Sequence, residues 1–273
     1  DLYAKLTSDT WSYAFNNDRY IHLDPWFNND WEYSKKIIIN SSMVEEELIN
    51  YPMLIQITDL DLKDNASSDG GDIVFLSYDN TTILNHEIEN YNSATGSLTA
   101  WVNVTNISNT VDTNIYMYYG NANCNNQSNM TGVWSDEYVT VHHMNNLTDS
   151  TYKNNLTNNG ATQVNSYLYQ AYDFEDGDMD YMTFGKNIFP SSGGLTFIGY
   201  IYNEDYGSDL LEWIMGNEDN SNYKGYGFLL DSTGDDHNFQ TTYYTGSGSA
   251  YYSSQTPVNS ISTDSYHFVS MNW

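Results

Sequence analysis

Apolar residues alternate with polar ones along most of the chain, and helical spacing is scarce. Successive side chains of a strand point to opposite faces, so this alternation predicts half-buried β-strands. In the first half it predicts strands over 33–39, 53–58, 72–78, 83–89, 98–104 and 113–119. Further along it predicts strands over 138–144, 168–174, 179–184, 195–202, 211–215, 226–231, 239–244 and 266–273. Clusters of Gly, Asn, Asp and Ser separate these runs. Asp69-Gly70-Gly71 and Ala94-Thr95-Gly96 have turn chemistry, because glycine takes positive φ at little cost. Leu60–Ala66 has room for one helical turn. Many short strands at regular spacing predict an all-β protein of layered sheets.

The polar run Asn121–Gly132 precedes Val133-Trp134 and marks the expected domain boundary, between 26–134 and 135–273. Residues 1–25 show no clear period and read as an extension or as the end of a preceding segment. Asp1 in place of Met is compatible with a removed leader or with a fragment.

Charge changes the picture more than size does. The 273 residues carry 36 acidic and 8 basic side chains, a formal net charge of -28. Such a surface repels phosphates and anionic lipid, which excludes nucleic acid and basic membrane docking as partners. No apolar run reaches membrane-spanning length, so no membrane insertion of this segment is expected. The acidity suits a soluble exterior protein in saline surroundings and gathers cations. A single cysteine, Cys124, makes no intrachain disulfide and reads as an incidental thiol, with no base placed to activate it. Acceptor sequences for N-glycosylation stand at Asn40, Asn65, Asn80, Asn103, Asn106, Asn126, Asn129, Asn146 and Asn155, all before Leu156. They read either as glycan carriers of a secreted protein or as turn residues.

An ordered set of motifs runs from Trp26 to Trp134. It opens with Trp31-Glu32-Tyr33-Ser34-Lys35-Lys36 and Tyr51-Pro52-Met53-Leu54-Ile55, and continues with Asp69-Gly70-Gly71-Asp72-Ile73-Val74-Phe75 and His86-Glu87-Ile88-Glu89. Ala100-Trp101-Val102, Asp112–Asn121 and Gly132-Val133-Trp134 close it. This set resembles a domain of unknown function common in secreted archaeal and bacterial surface proteins, which typically precedes a laminin-G-like, concanavalin A-like jelly roll. Val141-His142-His143-Met144, Asp149-Ser150, Asn158-Asn159-Gly160, Asp173–Tyr181 and Tyr266–Trp273 resemble parts of that jelly roll, which would be incomplete at Trp273. The resemblance implies an N-terminal β-sandwich-like domain followed by the jelly roll. It also implies an extracellular, cell-surface location, with no activity to transfer.

Candidate chemistry is sparse. Asp173, Glu175, Asp178 and Asp180 surround Gly177 and read either as a Ca²⁺ site of hard oxygen ligands or as solvated carboxylates of a strand–turn–strand. The alternating carboxylate signature of concanavalin-like glucanases is missing, so no catalytic residues are assigned. Tyr243, Tyr244, Tyr251 and Tyr252 read either as platforms for sugar rings or as ordinary strand aromatics. Asp59, Asp61, Asp64, Asp69 and Asp72 read either as cation ligands or as turn residues. In His86-Glu87-Ile88-Glu89, a strand would place His86 on one face and both glutamates on the other, which favours a structural strand over a metal site. His142 and His143 are expected to split in the same way. The leading expectation is a structural or adhesive subunit of a self-associating surface assembly (filament, sheath, surface layer or large adhesin), with residues 1–25 packing against a neighbouring copy. The alternative is a Ca²⁺-dependent glycan-binding module; a glycoside hydrolase or its accessory domain ranks below both.

Overall fold

The computed structural model describes residues 30–166, 169–175, 180–184, 194–203, 211–219, 224–231, 238–245, 251–257, 260–262 and 264–272. The chain falls into two compact units, Asp1–Thr183 and Phe184–Trp273. The expected strand-rich architecture is present: several antiparallel sheets and almost no helix. Among the described residues no helix is long and apolar enough to cross a membrane.

The first unit begins with β1 (Tyr33–Ile39), β2 (Leu48–Thr58), the short helix α1 (Leu60–Asn65), β3 (Val74–Leu76), β4 (Ile83–Leu84), β5 (His86–Asn92), β6 (Ser97–Ile107) and β7 (Thr113–Tyr119). Strands pair in the orders β1-β7-β3-β4 and β2-β6-β5, all antiparallel. The alternation explains the packing. Ile37, Ile39, Phe75, Ile115 and Met117 of one sheet share a core with Met53, Ile55, Leu98, Ala100 and Val102 of the other. The expected helical turn is α1, with Asp59 as its N-cap: its Oδ1 accepts from Asp61 N and Leu62 N. Lys35 forms an ion pair with Asp59 and lies 3.3 Å from Asp61. The two expected glycine turns hold, with Gly70 at φ +70 and Gly96 at φ +72. A methyl group on Gly96 would meet the Asp59 carbonyl oxygen.

A second apolar cluster lies on the outer face of the β1-β7-β3-β4 sheet, where Trp31, Val74, Leu76 and Tyr118 pack together with Cys124 against them. Asp72 fastens this edge. Its buried carboxylate accepts from Ser67 N (2.9 Å), Gly120 N (2.8 Å) and Asn121 N (3.1 Å), while its carbonyl accepts from Trp31 Nε1.

The unit does not end where the polar run Asn121–Gly132 ends. Short strands β8 (Thr157–Asn159), β9 (Thr162–Asn165), β10 (Gln170–Asp173) and β11 (Tyr181–Thr183) follow, paired β9 with β10 and β8 with β11. The expected strand over 138–144 is absent; the backbone there is irregular. Side-chain acceptors replace the ladder. Buried Asp149 accepts from Val141 N, Thr151 N, Lys153 N and Asn154 N, and from the Thr151 hydroxyl. A carboxylate that satisfies four backbone amides makes a stable loop without strand pairing.

The second unit contains β12 (Thr196–Asn203), β13 (Leu211–Asp219), β14 (Lys224–Asp231), β15 (Asn238–Thr245), β16 (Tyr251–Gln255) and β17 (Ser265–Asn272). The strands β13 to β16 form a meander in sequence order, and β12 pairs with β17. Phe228, Phe239, Ile261 and Val269 form its core, with Phe197 and Ile201 packed against them.

Candidate functional site

The register of β5 against β6 sets Glu87 opposite Trp101 and His86 opposite Val102. Val102 faces the core, so His86 is buried there, edge-on to Phe75 at 5.3 Å. Glu87 and Trp101 face the other way. A register shift between Ile88 and Asn90 lies at Glu89. The expected split of this motif across the sheet is therefore present. The face carrying the glutamates is covered, however, by the irregular segment after Gly132.

That segment is fastened from several directions. Asn103 Nδ2 donates to the carbonyls of Gly132 and Val133. Trp134 Nε1 donates to Glu87 Oε2 at 2.9 Å, and Ser150 Oγ donates to Glu87 Oε1 at 2.7 Å. Asn145 Nδ2 donates to the Glu89 carbonyl at 3.0 Å. His143 then enters between the carboxylates, with Nε2 3.3 Å from Glu87 Oε2 and Nδ1 3.3 Å from Glu89 Oε2. Its ring lies 5.6 Å from the Trp101 ring at 23°. Trp101 Nε1 donates to Glu89 Oε2 at 2.7 Å.

These side chains are almost dry: His143 is 9% exposed and Glu89 3%. Burial opposes a charge on His143, but the Glu87 hydrogen bond and the charges of Glu89 and Glu87 outweigh it and raise its pKa above the usual imidazole range. Burial also raises the Glu89 carboxyl, opposed by His143 and the Trp101 hydrogen bond. The outcome is an imidazole ring held between two carboxyl groups, with tryptophans as walls. The expectation that one ring of the His142-His143 pair points outward is corrected. His143 is enclosed, and His142 is half-buried with Nε2 2.7 Å from Thr140 Oγ1. The alternation rule fails there because no strand forms.

A polar cleft of about 530 Å³ opens over this cluster and continues into a second of about 360 Å³. Both are bordered by Ile88, Glu89, Asn126, Ser128, Asn145 and Asn146. Glu89 Oε2 takes both of that carboxylate's side-chain contacts; Oε1 has no hydrogen-bond partner among the described residues.

The comparison with protein families falls on this same region. Residues 69–180 match a domain of unknown function, DUF2341. The DUF2341 match thus contains Glu87, Glu89, Trp101, Trp134, His143 and Ser150 together. It also contains Val141–Met144 and Asn158–Gly160, the segments that resemble a jelly-roll opening. No curated protein and no solved structure matches the chain.

The candidate Ca²⁺ carboxylates around Gly177 and the candidate sugar-platform tyrosines lie elsewhere. Asp173 ends β10, and Asp180 Oδ2 accepts from Glu175 N at 3.2 Å. Asp178 lies outside the described residues. Among the described residues no group of three or more His, Cys, Asp or Glu side chains is arranged to hold a metal ion. Asp59, Asp69 and Asp72 are spent on backbone amides. Register places Tyr243 opposite Tyr252 and Tyr244 opposite Tyr251 on β15 and β16.

The nine acceptor asparagines divide by environment. Asn40, Asn106, Asn126, Asn129, Asn146 and Asn155 are exposed; Asn80 is buried and Asn65 and Asn103 half-buried. The side-chain nitrogens of Asn65, Asn103, Asn106 and Asn129 are engaged, by Asp61 O, the Gly132 and Val133 carbonyls, Glu47 Oε1 and Asn85 Oδ1.

Sequence reasoning missed the Glu87–His143–Glu89 cluster because its members were weighed within their own segments. The available signal was the density of tryptophan, histidine and glutamate across 87–143 without a visible role.

Proposed function

We propose that this chain is a structural or adhesive component of an extracellular cell-surface assembly. One observation carries the reading. The β12–β17 pair presents an outward row of large apolar side chains: Ile198, Tyr200, Tyr202, Tyr266 and Phe268 are 60, 42, 42, 43 and 52% exposed. Register sets Tyr200 opposite Phe268 and Tyr202 opposite Tyr266, so the row lies on one face. Rows of this kind mark interaction surfaces, and the occupant proposed here is a second copy of the chain. The charge of -28 supports an exterior setting, where such acidity keeps assembled subunits soluble in salt. The antiparallel sheets of Phe184–Trp273 support its reading as part of a jelly-roll-type module, with the DUF2341 region as its companion. The expectation that residues 1–25 dock on a neighbour concerns residues outside those described. The role proposed requires no turnover.

The test is the size of the particle in solution, by light scattering and electron microscopy, for the chain and for Tyr200→Ser with Phe268→Ser. Concentration-dependent multimers that the double variant loses support the reading. A monomer at high concentration overturns it. A glycan-binding role is favoured by a separate observation, the polar groove over Glu89.

A further inference from the structure

We infer that the groove over Glu89 is a binding site for an oligosaccharide that is uncharged or carries amino groups. This deepens the adhesive side of the proposed function and gives it a ligand class and a location.

The first argument is the unpaired oxygen. Glu89 is 3% exposed in its side chain, and its Oε2 is held by Trp101 and His143, yet Oε1 accepts nothing among the described residues. The Oε1 atom meets the solvent of the groove, so a ligand hydroxyl or amine that donates a hydrogen bond there takes the place of water. The carboxylate cannot turn away to find another donor, because Trp101, His143 and the covering segment fix it. It is a preorganised acceptor at the base of an open groove.

The second argument is the wall. Asn126, Ser128, Asn145, Asn146 and Thr148 border the groove with amides and hydroxyls, which both donate and accept. That two-way chemistry matches sugar hydroxyls, which also do both. Tyr152, 62% exposed, borders one stretch, and Tyr169, 40% exposed, borders the other. Aromatic faces suit the apolar C–H faces of pyranose rings. The two clefts, of about 530 and 360 Å³, have room for more than a monosaccharide.

The third argument is charge. The groove is bordered by Glu87 and Glu89 and belongs to a chain of net charge -28, which repels carboxylated or sulfated glycans and favours neutral or amine-bearing ones. A divalent cation is a poor fit, since a single unpaired carboxylate oxygen falls short of the six to eight oxygens Ca²⁺ takes. The site differs from the tyrosines of β15 and β16, which belong to the other unit.

The experiment uses the full chain produced without N-glycosylation, so that Asn126 and Asn146 are unmodified. It is applied to an array of neutral, amino-sugar and uronic-acid oligosaccharides, and its hits are titrated by calorimetry. Retention of neutral or amino-sugar chains is expected. Affinity should fall at least about tenfold in Tyr152→Ala with Tyr169→Ala and in Glu89→Gln, and stay unchanged in Tyr181→Ala, which is exposed and outside the groove. The tyrosine variant alters only exposed side chains, so it decides the matter even where Glu89→Gln folds poorly. No retained glycan, a preference for uronic acids, or affinity unchanged by the tyrosine variant would overturn the inference. A chain that binds no sugar and still multimerises leaves the assembly reading standing and removes this one alone.

Discussion

The Nε2 of His143 stands 3.3 Å from Oε2 of Glu87, a contact that joins residues 56 positions apart in the chain. It ties an irregular covering segment to the outer face of the β2-β6-β5 sheet. Buried ion pairs of this kind cost desolvation to form, yet leave an uncompensated charge when one partner is removed. Glu87→Ala is therefore expected to destabilise the first unit by about 3–5 kcal/mol, measured by urea unfolding.

The same pair sets a dependence on pH. The folded pKa of His143 lies above the ordinary 6.5, so its stabilisation is complete below that value and is lost as pH rises through the folded pKa. Glu89 is also raised above its ordinary 4.5, so its contribution too is lost as pH rises through its folded value. Both effects have one sign. Thermal midpoints of the wild type should fall from mildly acidic to alkaline pH, and His143→Gln should flatten the upper part of that profile. A wild-type midpoint that climbs over this range would contradict the cluster as described.

Asp149 acts in the opposite sense. Burial raises its pKa, but hydrogen bonds from Thr151, Val141 and Asn154 outweigh this and lower it below 3.8. Its contribution is present above 3.8 and is lost as pH falls through the lowered value. Asp149→Ala orphans several backbone amides and is expected to cost about 2–5 kcal/mol. Hydrogen exchange should show the loss first at Val141, Thr151 and Asn154.

Asp72 gives a test of the sheet edge. Replacing it with Ala removes the acceptor for the amides of Ser67, Gly120 and Asn121, at an expected cost of about 2–4 kcal/mol. The Trp31 indole bonds the Asp72 carbonyl rather than its side chain, so it should keep that partner. Chemical denaturation followed by tryptophan fluorescence measures the change.

Cys124 should be a slow thiol. Burial raises its pKa, and the charges of Asp72 and Asp69 push it further. Alkylation by iodoacetamide at mildly alkaline pH is expected to be several-fold slower than for a cysteine in a short peptide, and to recover in denaturant. Equal rates would show the thiol to be free.

Much of the fold was legible because strand alternation is a local property. The run YSKKIII became β1 over the residues the pattern gave, and TNIYMYY became β7. The helical turn after Asp59 was also local, since its N-cap lies two and three residues from the amides it accepts. His86 and Glu87 fell on opposite faces for the same reason. Residues 138–144 defeated the rule. Their alternating pattern resembles a strand, but Asp149 draws their backbone into a loop that no periodicity encodes.

The sequence by itself determined that this chain is built of short strands with an acidic exterior, because side-chain alternation and net charge need no knowledge of neighbours. Only the tertiary structure decided that Glu87 and Glu89, which point away from the core, are nonetheless buried. A segment from beyond the sandwich covers them and inserts His143, and burial of a charge depends on what lies opposite it in space.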